Sequence, residues 1–218
     1  MTGWLGPEEW QAVALSLKVA AWATALSLPP GILVAYALAR WRFRGKQVLN
    51  ALVLLLGFGR NGPIGGWLEA QFGLVLAFRW TGAVLAAAIM AFPLMVRAIR
   101  QGIEAVDPRL EEAAATLGAP RLAVFATVTL PLILPGLITG AVLAFAKAMG
   151  EFGATITFVS SIPGQTQTLS TAMFTLLQVP GGEGPALRLA AISVVIAVGA
   201  LLVSELLARR AARRVAGA

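Results

Sequence analysis

From Gln11 to Ala39 the chain carries one charged side chain, Lys18, and from Gly73 to Val96 only Arg79. At 1.5 Å per helical residue, a hydrocarbon layer of ~30 Å is crossed by about 20 residues, and both runs exceed that. In lipid every backbone N–H and C=O must be paired within the segment, so such runs fold as helices. Two further runs, Leu122 to Met149 and about Leu187 to Leu207, complete the same pattern. These four features alone dictate an all-α integral membrane protein.

Composition closes off the soluble alternative. Of 218 residues 58 % are hydrophobic and 12 % charged, with a mean hydropathy of +0.82. A compact soluble fold needs more polar surface than that. The net charge of +7 sits in short clusters beside the apolar runs rather than along one face, which argues for membrane topology and against nucleic acid. With no Cys, disulfide and thiolate chemistry are excluded, and with no His either, the residues argue against a transition-metal site.

Charge also sets the expected topology. The run 11–39 ends at Arg40, Arg42, Arg44 and Lys46, which the positive-inside rule places in the cytoplasm, with the N-terminus outside. Glu8 and Glu9 stand where a signal peptide would be basic, so this first span is expected to be uncleaved. Pro29-Pro30-Gly31 should bend or break its helix. The next run, Val48 to Phe58, covers only about 17 Å. If it did not cross, Arg97 and Arg100 would lie outside; the basic residues therefore favour a crossing, abnormally short.

The expected map has five spans, at about 11–39, 48–58, 73–96, 122–149 and 187–207, in one transmembrane domain over 1–218. The C-terminus then lies in the cytoplasm beside Arg209, Arg210, Arg213 and Arg214, and twelve of the seventeen basic residues are cytoplasmic. The cytoplasmic loop is 97–121, and in span four Pro131 and Pro135 should break the ladder early. The Gly-, Ser- and Thr-rich stretch after Met149 is expected to be a re-entrant or lip segment on the outer side.

One part of that loop, "DPRLEEAAATLGAP" at 107–120, is polar and alanine-rich. Asp107 suits an N-cap, Pro108 the first turn, Glu111 and Glu112 the positive end of the dipole, and Gly118 a left-handed C-cap. Leu110, Ala113, Ala114 and Leu117 fall at i, i+3, i+4 and i+7, one apolar stripe. A helix lying on lipid would carry Lys and Arg above and bulky residues below. With carboxylates and alanines instead, docking into a groove of another protein is the better reading.

Other motifs weigh less. "GFGRNG" at 57–62 has the GxGxxG form but runs into Pro63 rather than into a helix, so it is not a dinucleotide fingerprint. No GxxxxGK[ST] exists, so this chain cannot cradle ATP by that device. Near the spans, Lys18, Arg79, Lys147 and Glu151 are the ionisable groups. Arg79 beside Trp80 reads as an interfacial anchor. Glu151 lies four residues after Lys147 on the same helix face, which favours a structural ion pair over a substrate contact. A polar solute crossing the membrane would be met by backbone N–H groups, hydroxyls and amides. Candidates are Gly150, Gly153, Thr155 and Thr157 near the end of span four, with Gln165, Thr166 and Gln167 on the lip, although packing alone also selects small residues there.

The stretch Glu112-Ala113-Ala114, Gly118, Val128, Leu130, Pro131 resembles the signature loop of the membrane subunits of bacterial ABC importers, with Val128 in place of the usual Ile. "GRNGPIG" at 59–65, "GEFGAT" at 150–155 and "IPGQTQTL" at 162–169 are similar to the permeases of molybdate importers and, less closely, of sulfate/thiosulfate importers. The departure is a segment that members usually carry between the equivalents of Leu56 and Gly57, at the run that is too short. The resemblance implies a type I importer permease fold with 108–117 as a coupling helix, in which Leu110, Glu112, Ala113, Ala114, Leu117 and Gly118 engage an ATPase. It implies a homodimer with two cytoplasmic ATPase subunits, which bind ATP and Mg, and an extracytoplasmic oxyanion-binding protein. This chain would then be non-catalytic and hold no cofactor. The rival readings are a proton-coupled secondary carrier with Glu151 as its titrating group, and a membrane-anchored scaffold that docks through the same helix.

Overall fold

The computed structural model describes residues 5–40 and 79–215. The expected span 48–58, the basic residues 42–46 and the motif 59–65 lie outside the described residues. Secondary structure among the described residues is helical throughout: α1 (Pro7–Arg40), α2 (Trp80–Glu104), α3 (Pro108–Thr116), α4 (Arg121–Met149), α5 (Gly153–Phe158), α6 (Leu169–Leu177) and α7 (Glu183–Val215). Four of these, α1, α2, α4 and α7, are long and apolar enough to cross a membrane.

The core is layered along α1. At its start, Leu5, Ala12 and Val13 pack with Leu169, Ala172 and Leu189. Midway, Val19, Ala20 and Ala23 meet Ala83, Val84, Ala87, Ala148 and Val159. Towards its end, Ala35 and Leu38 join Met95, Ile99, Ile103, Val106 and Ile133. Each layer thus takes residues from helices distant in sequence, which locks α1, α2 and α4 into one bundle. Small residues let α2 and α4 approach closely: a Cβ on Gly136 would stand 3.0 Å from the Gly102 Cα, and one on Gly140 would stand 3.2 Å from the Met95 carbonyl oxygen. Backbone-to-backbone contact of this kind gains van der Waals packing where no hydrophobic force separates helix from lipid.

Three local features refine the expected map. Helix α1 is unbroken through Pro29 and Pro30, so the pair costs hydrogen bonds without ending the helix. Helix α2 does not stop at Val96 but carries Arg97 and Arg100 to Glu104, where Arg100 Nε donates to Glu104 at 2.8 Å. Its 25 residues reach about 37 Å, more than the ~30 Å core, so the last turns of the span and the start of the polar segment are one rod. Helix α4 is likewise continuous, but its ladder widens into a π turn at Phe125–Thr129, immediately before Leu130 and Pro131. Proline has no N–H to give and crowds the carbonyl four residues back. The wider turn accommodates both defects, so Pro131 reshapes the helix instead of breaking it.

Candidate functional site

Helix α3 is set by its ends. Asp107 has extended φ/ψ and its carboxylate accepts from Arg109 N–H at 3.0 Å, while Pro108 opens the helix. At the other end Gly118 N–H bonds Ala115 O at 3.0 Å and Ala119 N–H bonds Ala114 O at 3.3 Å, the two bonds of a Schellman cap. That cap needs a left-handed residue, and Gly118 has φ +86°. Nine residues form a helix too short to persist alone in water, so its place in the fold depends on what holds it.

No residue of α3 is buried. Leu110, Ala113 and Leu117 face outwards, Leu117 at 89 % exposure, and Leu122 at the start of α4 is 79 % exposed. Ala114 is half-buried. Glu112 is exposed and has no hydrogen-bond or ion-pair partner among the described residues. The stripe read from the sequence is therefore an open apolar face with a carboxylate beside it.

The holding contact is Glu111, one residue earlier. Its Oε1 accepts from Arg40 Nη2 at 2.5 Å and from Thr129 Oγ1 at 2.7 Å. Arg40 is the last residue of α1 and Thr129 the last of the π turn, so one carboxylate gathers three elements. Beside it the Tyr36 and Phe125 rings meet edge to face, 5.2 Å between centroids. Sequence reasoning did not single out this trio. Glu111 and Glu112 look alike in the string, and only the ~100° turn between successive helical residues separates an inward from an outward carboxylate.

The residues proposed to meet an oxyanion lie around the far end of α4 and divide into two sets. Glu151, 5 % exposed, bonds Lys147 Nζ through Oε2 at 2.7 Å and caps α5 by accepting from Ala154 N–H at 3.0 Å. Thr166 is buried, accepting from Ile162 N–H at 3.0 Å and donating to Ser160 O at 3.2 Å. Thr155 is buried at 1 % exposure. Gly150, Gly153, Thr157 and Gln165 are exposed, with Thr157 Oγ1 donating to Gly153 O at 2.9 Å. Gln167 is half-buried. The lip itself is tied to α1, since Ser16 Oγ accepts from the buried Leu169 N–H at 2.6 Å. Lys18, on the same helix, stands 3.8 Å over the Trp80 ring, a cation–π contact.

The comparisons with known proteins agree with this architecture. The family described as "Binding-protein-dependent transport system inner membrane component" matches residues 22–213. The Molybdenum transport system permease protein ModB of Escherichia coli (strain K12) is 56 % identical over 215 residues, covering 92 % of this chain and 94 % of that protein. The Sulfate transport system permease protein CysT of the same strain is 36 % identical over 203 residues, covering 86 % and 72 %. Among solved structures, a crystal structure of an amino acid ABC transporter with histidines aligns over 94 % of both chains with TM-score 0.59 at 21 % identity, which shows a shared fold. This chain belongs to the family of inner-membrane components of binding-protein-dependent transport systems.

Proposed function

We propose that the chain is the permease of an ATP-driven importer that moves a tetrahedral oxyanion, molybdate first, into the cytoplasm. It works as a homodimer with two cytoplasmic ATPase subunits and is fed by an extracytoplasmic binding protein, its N-terminus outside and its C-terminus inside. The observation that carries this is the capped α3, whose Leu110, Ala113 and Leu117 are exposed and point away from the rest of the described residues. An apolar helical face with no cover is what a groove in a partner recognises. Support for molybdate comes from the similarity to a molybdenum permease at 56 % identity.

In this reading ATP and Mg are bound by the partner ATPase. Its closure displaces α3 and rocks the spans between outward- and inward-open states. Glu112 and the apolar stripe contact the ATPase, and Gly118 fixes where the helix ends. At the far end, the exposed Gly150, Gly153, Thr157 and Gln165 offer N–H, hydroxyl and amide groups to the anion, Thr155 is buried behind them, and Glu151 and Thr166 hold the loops that present them. The carrier alternative would place the titrating group at Glu151, whose two oxygens already accept from Lys147 and from Ala154 N–H as a local clamp does. Sulfate or thiosulfate is the second substrate reading, favoured by the 36 % identity to a sulfate permease.

The deciding experiment reconstitutes the chain in vesicles with its ATPase and binding protein and follows radiolabelled molybdate, tungstate and sulfate. ATP-dependent uptake of molybdate in preference to sulfate is the expected result. Uptake driven by a proton gradient without ATP overturns the reading.

A further inference from the structure

The question left by α3 is how a helix with an open outer face moves a bundle to which it is barely packed. None of its residues is buried, so apolar burial does little to bind it to the spans. What binds it is Glu111, whose single oxygen is shared by Arg40 from α1 and Thr129 from α4. The Glu111 and Arg40 side chains are 18 % and 22 % exposed and Thr129 is fully buried, so water competes weakly for these bonds. Arg40 Nε is also buried and finds no partner among the described residues, which leaves the guanidinium dependent on Glu111.

The second partner is placed where α4 is already irregular. Thr129 closes the π turn, and π turns sit off the regular ladder, where a helix can change pitch at least cost. Phe125 opens that same turn and its ring abuts Tyr36, one turn before Arg40. The carboxylate clamp and the ring pair thus bracket the π turn from both ends and join it to α1.

We infer that Glu111, with Arg40 and Thr129, is the joint that transmits displacement of α3 to α1 and to the π turn of α4, whereas Glu112 and the leucines only engage the partner. The inference rests on the importer reading above. Glu111 is a positioning residue, since it acts through two spans and touches neither nucleotide nor anion.

The test uses the full complex in vesicles, measuring ATP turnover, molybdate uptake and retention of the ATPase subunits on purification. Wild type must first show ATP-dependent uptake; if it does not, the importer reading fails and not the joint. Given wild-type coupling, E111A is expected to keep the ATPase bound and its turnover within about twofold, while uptake per ATP falls about tenfold. The swap R40E/E111R, which restores opposite charges across the joint, should recover about a third or more of that ratio. T129V, which leaves the ion pair in place, should lower the ratio about two- to threefold. Unchanged uptake per ATP in E111A overturns the inference. So does loss of the ATPase in proportion to uptake, because Glu111 would then serve docking alone.

Discussion

Glu111 and Glu151 each accept two hydrogen bonds, yet they hold different kinds of structure. The partners of Glu151 lie four residues before it and three after, so it closes one corner between α4 and α5. The partners of Glu111 lie 71 and 18 residues away, so it closes a joint between three elements. A local clamp can fail and leave the bundle in place, whereas a long-range one sets how parts move relative to each other. Charge alone does not distinguish the two; the reach of the contacts does.

The sharpest way to break this comparison is to leave both carboxylates alone and spoil the open face. L117D places a charge on a residue 89 % exposed, so the melting temperature of the detergent-solubilised chain should hold within about 1–2 °C. Uptake with the ATPase present should fall tenfold or more, an estimate of about 1.4 kcal/mol or above from burying an unpaired charge in an apolar groove. Intact uptake would mean that the stripe docks nothing.

Next in size is the lip, which belongs with Glu151 as locally closed structure. T166V keeps the shape but strands the Ile162 N–H and the Ser160 carbonyl. A buried polar group without its partner costs about 1–3 kcal/mol, so chemical unfolding should register a loss of that order. A variant as stable as wild type would show that water reaches this turn.

Gly118 comes third. Its φ of +86° disfavours any Cβ, although no atom lies within 4 Å of where one would sit. G118A should therefore cost about 1 kcal/mol of backbone strain and no steric clash. Its effect belongs to α3 and not to the spans, and hydrogen exchange at the amides of residues 118 and 119, the two donors of the cap, should rise while exchange in α2 stays unchanged. Uniform loss of protection would place Gly118 in the global fold instead.

These cases also mark what the string could and could not tell. Legible from spacing alone were four of the five expected apolar spans, the Asp107 and Gly118 caps of α3, its stripe, and the Lys147–Glu151 pair, each a matter of neighbours within a turn or two. Illegible were the Glu111 joint and the Gly102–Gly136 approach, which depend on how α1, α2 and α4 cross in space. Proline was only partly legible for a related reason. Its missing N–H reads as a break in one dimension, but Pro29 and Pro30 lie within an unbroken α1, and the π turn absorbs Pro131.

The smallest effect is the one that tells a local clamp from a transport residue. E151Q removes the negative charge and keeps one oxygen, which can still accept from Ala154 N–H, while the bond from Lys147 to the second oxygen is lost. Since Lys147 is 41 % exposed and can turn to water, the loss should be about 0.5–1 kcal/mol. Uptake per ATP should stay within about twofold of wild type, and its pH dependence should not move. A residue that carried a proton across would behave otherwise: no acceptor of charge would remain, and uptake would vanish at every pH. The measurement is thus a pH series of uptake in E151Q vesicles beside E111A, and the two carboxylates should differ there more than in any stability assay.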